Sequence, residues 1–143
     1  MALSDSKRAS EYDYQSGRGS YNNSTDVFKF VLITESFTAI DANAVNIGIA
    51  YYTKVLSAGA YVQDTTLTNS TWSRTGAVSK LDFDNISFAA NAANPITAKT
   101  VAIYNDTSTN KDVYKYIDIT ADSGTTAADT IGGFSVAINA GGS

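Results

Sequence analysis

The alternation of apolar and polar side chains predicts a chain built mainly from β-strands. The clearest example places Leu81 and Phe83 in one phase and Asp82 and Asp84 in the other. A period of two is typical of a strand with one buried face, because successive side chains of a strand point to opposite faces. Residues 134–138 alternate in the same way and predict a last strand.

Two further regions have patterns that predict strands of different kinds. Residues 27–34, VFKFVLIT, are apolar in both phases except at Lys29, which predicts a central strand covered on both faces, or one covered by a partner. Residues 100–104 and 113–120 are apolar segments on either side of a loop of turn-forming residues. This spacing predicts a β-hairpin.

Residues 35–50 have a mixed pattern. Ile40, Ala44, Val45 and Ile47 would share one helical face, but a loop or short helix that leads into extended chain at 51–56 fits better. Six to eight strands without long helices predict an all-β sandwich or barrel. We favour an antiparallel β-sandwich, Ig-like or jelly-roll-like, over residues 27–143.

Residues 1–26 have almost no aliphatic content, and two interpretations are open. A disordered tail is one, since such a segment buries too little apolar area to offset its ordering entropy. The other is an extended N-terminal arm that orders against a neighbouring subunit, because Tyr and Arg are enriched at interfaces. The predicted contact residues of the arm are Arg8, Tyr12, Tyr14, Arg18 and Tyr21.

Composition excludes several classes of function. The net charge of −4 argues against non-specific nucleic-acid binding, which needs a basic face. The chain has no cysteine and no histidine, so disulfides, thiolate metal sites and histidine-dependent catalytic groups are excluded. No apolar run approaches the roughly 20 residues that a membrane span requires. The first residues lack the apolar core of a signal peptide, so synthesis in the cytoplasm is expected.

Candidate chemistry is weak. Asp82 and Asp84 share a strand face, and Asp112 and Asp118 bound or occupy another strand; paired carboxylates can serve acid–base catalysis or Ca²⁺ binding. Solvent exposure on alternating strands explains them more simply, since no calcium-loop spacing accompanies them. Trp72 fits core or hairpin packing better than a carbohydrate platform. We therefore predict no enzyme activity, no catalytic residues, no cofactor and no metal site.

The order of motifs from Trp72 onward resembles a family of small tailed-bacteriophage virion proteins. The matching segments are 72–76, 80–84, 87–90, 96–98, 101–107, 116–118 and 134–136. Members of that family also tend to begin with an FKF-like strand, which residues 28–30 match. The resemblance covers about residues 27–139 and implies a structural component of a virion.

The resulting hypothesis is a capsid decoration (cement) protein. Its expected partners are the major capsid protein and other copies of itself on the capsid surface, after synthesis in the host cytoplasm; neither nucleic acid nor membrane is expected as a partner. A neck, tail or fibre-attachment component of the virion is an alternative. A host-glycan binding module that uses Trp72 and surface tyrosines is a further alternative.

Overall fold

The computed structural model describes residues 5–58, 61–84, 86–88, 97–120, 128–129 and 134–136. One α-helix, α1, spans Ser10–Gly17, and a single 3₁₀ turn spans Ile49–Tyr51. The strands are β1 (Asp5–Arg8), β2 (Phe28–Ile33), β3 (Thr65–Thr66), β4 (Thr71–Thr75), β5 (Val78–Asp82), β6 (Ile86–Phe88), β7 (Thr97–Ala98), β8 (Thr100–Asn105), β9 (Val113–Asp118), β10 (Ala128–Asp129) and β11 (Phe134–Val136).

A five-stranded antiparallel sheet, in the order β1-β9-β8-β2-β3, forms the core of the described chain. Strand β8 lies at its centre, and all six of its residues are buried. It pairs on one side with β9 and on the other with β2, where Phe28 faces Asn105 and Ile33 faces Thr100. The predicted β8–β9 hairpin is confirmed. The two-sided burial predicted for residues 27–34 is confirmed for 28–33, where only Lys29 is partly exposed, whereas Val27 and Thr34 are exposed.

Three two-stranded ribbons complete the described strands: β4 with β5, β6 with β11, and β7 with β10. The β4–β5 hairpin turns at Gly76, whose φ of 61° lies in the left-handed region that favours glycine. At the end of β5 the predicted alternation is confirmed, because Leu81 and Phe83 are buried while Asp82 is half-buried and Asp84 is exposed. The predicted strand near the C-terminus is confirmed at Phe134–Val136, and its continuation to residue 138 lies outside the described residues.

The loop interpretation of residues 35–50 is also confirmed. Its turns include one in which the Asn43 amide donates to Asp41 Oδ1 at 2.8 Å. After the 3₁₀ turn the chain runs extended beside β2, where the Val55 amide donates to the Leu32 carbonyl at 2.8 Å. This backbone hydrogen bond pairs with the edge of β2 that faces away from β8.

The N-terminal segment differs from the predicted extended arm. Strand β1 is extended and pairs with β9, but the next residues form α1. Helix α1 has acidic residues in its first turn, which complement the helix dipole, and its Gln15 side chain donates to Glu11 Oε1 at 2.7 Å. The chain leaves the helix at Gly19, whose φ is 82°. The predicted all-β, antiparallel class is confirmed for the rest of the described chain.

Candidate functional site

Helix α1 is attached to the sheet through the ring of Tyr12. Tyr12 is 1% exposed. Its ring stacks on Tyr21 with a centroid distance of 4.2 Å and meets Tyr114 of β9 edge-on at 5.2 Å. Such aromatic pairs stabilise beyond the area that they bury. Three tyrosines therefore supply the apolar contact that the segment lacks in aliphatic residues.

The hydroxyl of Tyr12 joins a buried hydrogen-bond network. It donates to Asn23 Oδ1 at 2.9 Å and accepts from Asn105 Nδ2 at 3.2 Å. Asn105 is fully buried at the end of β8, and its Nδ2 also donates to Asp26 Oδ2 at 2.7 Å. Burial raises the pKa of Tyr12 well above its ordinary value. The network ties Tyr12 of α1 and two residues of the polar loop 18–27 to the end of the central strand β8.

Tyr21 makes a second link to the sheet. Its hydroxyl donates to Asp112 Oδ2 at 2.5 Å, just before β9. Burial and this hydrogen bond to a carboxylate raise the pKa of Tyr21 above its ordinary value, because both favour the protonated hydroxyl. The bond in turn orients the Asp112 carboxylate.

Two basic side chains of strand β1 also attach this strand to the rest of the chain. The Lys7 ammonium donates to the carbonyls of Phe37 and Ile40, at 2.5 and 2.6 Å. The Arg8 guanidinium lies 5.2 Å from the centroid of the Tyr114 ring and forms an ion pair with Asp13. Charge and ring contacts thus combine with backbone pairing at this end of the sheet.

The five predicted arm residues therefore divide into two groups. Arg8, Tyr12 and Tyr21 contact their own sheet. Tyr14 is 59% exposed, and the exposed Arg18 stacks over it with 5.6 Å from guanidinium carbon to ring centroid. We call Tyr14 and Arg18 the helix surface pair.

Sequence reasoning missed the residues that receive the N-terminal segment, which are Asn105, Asp112 and Tyr114. The available signal was the presence of polar and aromatic groups at the ends of an otherwise apolar hairpin. Nothing in that pattern specifies Tyr12 as the partner, 93 residues from Asn105.

A cleft of about 510 Å³ lies beside the Tyr21–Asp112 bond, between residues 45–51 and 109–112. Two backbone bonds join its walls: the Ile49 amide donates to the Lys111 carbonyl at 3.0 Å, and the Val113 amide to the Ile47 carbonyl at 2.8 Å. Gly48 makes the closest approach. A β-carbon there would lie 2.7 Å from the Asn110 carbonyl oxygen, so only glycine fits without displacing backbone.

Two of the acidic residues considered in the sequence, Asp84 and Asp118, have separate hydrogen-bond partners. Asp84 Oδ2 accepts from Asn69 Nδ2 at 2.6 Å and from Thr68 Oγ1 at 3.2 Å. Asp118 differs from the expected solvent-facing carboxylate, since it is 2% exposed and accepts from both the amide and hydroxyl of Thr120. Among the described residues, acidic side chains form no group suited to a metal ion.

Trp72 is 43% exposed on β4, opposite Leu81. The hairpin is confirmed, but a core position for Trp72 is wrong, because the residue is an exposed one. In the part of the chain that the structure describes, no helix has the length and apolarity to span a membrane. Comparison of the chain with protein-family models, with curated proteins and with solved structures found no match.

Proposed function

We propose that this chain is a structural protein of a tailed-bacteriophage virion, namely a decoration protein on the capsid surface. The proposal rests on the motif order from Trp72 onward and on an all-β fold with antiparallel sheets, and it includes a sandwich arrangement of those sheets. The observation that carries it is the helix surface pair, an exposed aromatic group on α1 and an exposed guanidinium group at the C-cap of this helix, which is fixed to the sheet.

Such a pair suits subunit contact. Tyr and Arg dominate the binding energy of many protein interfaces, because they bring large contact area together with hydrogen-bond donors. Helix α1 holds them in place through the buried Tyr12 on its opposite side. Less entropy is then lost on binding than for a disordered segment.

The proposed contact does not require the N-terminal segment to leave its own domain, as an extended arm would. Release of residues 5–26 would expose the Tyr12 ring and remove two hydrogen-bond partners of the buried Asn105 side chain. Exposure of a fully buried aromatic side chain to water costs about 1.5–3 kcal/mol. We therefore place the contact with capsid protein or neighbouring copies on the outer face of α1, with β1 still on its own sheet.

Binding to purified capsid shells that lack this protein tests the proposal. The double variant Tyr14→Ala, Arg18→Ala should bind shells at least about tenfold more weakly, as expected for loss of central interface residues. Trp72→Ala is the matched control, since it also removes an exposed aromatic group but lies on the β4–β5 hairpin.

Circular dichroism and thermal unfolding would show whether both variants keep the fold. Deletion of the whole segment is a poorer experiment, because it also removes Tyr12 and the buried Ala9 from the core. Shell binding by the folded double variant that equals the unmodified protein would contradict the proposal.

A further inference from the structure

We propose that the cleft between residues 45–51 and 109–112 binds a neutral saccharide. This site is distinct from the helix surface pair and goes beyond a role in capsid decoration. Its support comes from the apolar surface, the hydrogen-bonding groups, the charge and the rigidity of the cleft.

The apolar part of the cleft is an exposed aromatic ring with an aliphatic neighbour. Tyr51 is 66% exposed and Val45 is 73% exposed. The Tyr51 ring rests against Gly48, where a β-carbon would lie 3.7 Å from ring carbon Cδ2. The negative face of an aromatic ring attracts the C–H groups of a pyranose, so an exposed tyrosine ring is a suitable platform for one sugar.

The polar part of the cleft supplies donors and acceptors. Asn46 and Asn110 are exposed, and their side-chain amides have no hydrogen-bond partner among the described residues. Each amide offers two donor hydrogens and a carbonyl acceptor, which matches adjacent hydroxyl groups of a sugar. The Asp112 carboxylate, oriented by Tyr21, adds an acceptor. A few convergent polar groups beside an apolar surface are typical of small-molecule sites.

The charge of the cleft favours a neutral ligand over an anionic one. Lys111 is the basic residue that lines the cleft, but its ammonium group lies 2.9 Å from Asp106 Oδ1. The Asp106 carboxylate therefore neutralises its charge. The Asp112 carboxylate then leaves the cleft with negative character. A sialic acid or phosphate group would be repelled at this position.

The cleft is also preformed. Backbone hydrogen bonds from both loops and the close approach at Gly48 hold its walls together. Because these contacts lie within the chain itself, binding would order few groups in the protein.

Titration of the isotope-labelled full chain with neutral oligosaccharides, followed by amide chemical shifts, tests this inference. The panel includes glucose-, galactose- and N-acetylglucosamine-terminated sugars, with a sialylated sugar and inorganic phosphate as anionic probes. We expect at least one neutral sugar to bind with a Kd of about 10 mM or tighter. The shifted amides should belong to residues 45–51 and 109–112.

Variants then assign the binding to the cleft. Tyr51→Ala and Asn110→Ala should each weaken it about tenfold or more, whereas Tyr51→Phe, which keeps the ring, should bind within about threefold of the unmodified protein. Trp72→Ala should bind normally. These side chains are exposed, so the variants are expected to fold.

Three results would overturn the proposal: no shift with any neutral sugar, normal binding by Tyr51→Ala, or loss of binding in Trp72→Ala. Stronger binding of the sialylated sugar or phosphate than of neutral sugars would also overturn it. Shell occupancy is measured separately, so failure here leaves the proposed capsid function independently testable.

Discussion

Substitution of Tyr12 by alanine is the most direct perturbation of the attachment between the N-terminal segment and the sheet. The ring is 1% exposed and contacts Tyr21, Tyr114 and Phe28. Removal of a buried aromatic ring costs about 3–5 kcal/mol. The lost hydroxyl also leaves the Asn105 side chain with one partner fewer. We therefore expect Tyr12→Ala to lose at least about 3 kcal/mol of the free energy of unfolding.

Urea unfolding monitored by Trp72 fluorescence and by circular dichroism measures this loss. Tyr14→Ala is the matched control, because it makes the same substitution two residues away on the exposed side of α1. It should change the free energy of unfolding by less than about 0.5 kcal/mol. Tyr12→Phe, which keeps the ring and removes only the hydroxyl, should fall between them at about 1–2 kcal/mol.

The reasoning would be refuted if Tyr12→Ala and Tyr14→Ala had equal stability. Such a result would mean that the segment is not packed on the sheet in solution, and that the arm is already free. A large loss with an unchanged dependence on urea concentration would show that Tyr12 belongs to the cooperative core.

Two further predictions concern pH and backbone spacing. Burial raises the pKa of Tyr61 to about 12, above the ordinary tyrosine value of about 10, so its contribution to stability is fully present below pH 10 and is lost as pH rises toward 12. The urea concentration at the unfolding midpoint should therefore fall over that pH range. A midpoint that stays constant would contradict the burial of the Tyr61 hydroxyl. Gly48→Ala should destabilise by about 1–3 kcal/mol, since its β-carbon would meet the Asn110 carbonyl oxygen. Gly17→Ala, at the end of α1 with open space around it, should instead be neutral or stabilising by up to about 1 kcal/mol; equal effects at the two sites would contradict the close approach.

Much of the sheet could be predicted from the sequence because its signals are local. The two-sided apolar run at residues 28–33 specifies a covered strand without knowledge of its neighbours. The alternation of Leu81 and Phe83 with aspartates specifies a buried face. A polar loop between two apolar runs specifies the β8–β9 hairpin.

The packing of the N-terminal segment could not be predicted in this way. Its aliphatic content is too low to indicate burial, and Tyr12 is buried by rings and amides from distant parts of the chain. The helix itself is weakly encoded, with apolar and polar residues on no consistent face. Its position is set by the Tyr12 contacts and by a backbone bond from the Ser10 amide to the Ala42 carbonyl at 2.8 Å.

The cleft was equally inaccessible to sequence reasoning, because it arises where two separate loops meet. Tyr51 and Asn110 carry no mutual signal in the sequence. Their proximity depends on the approach of Gly48 to the Asn110 backbone. The sequence instead drew attention to Trp72 as the candidate sugar platform, since it is the single tryptophan.

The copy number of this chain in an intact virion tests the proposed capsid function most directly. Quantitative mass spectrometry of purified particles gives the ratio of this chain to the major capsid protein, and electron microscopy gives its position. A decoration protein should be present in hundreds of copies on the outer shell, where many weak contacts act together. A count of about a dozen or fewer, at the neck or tail, would contradict the account.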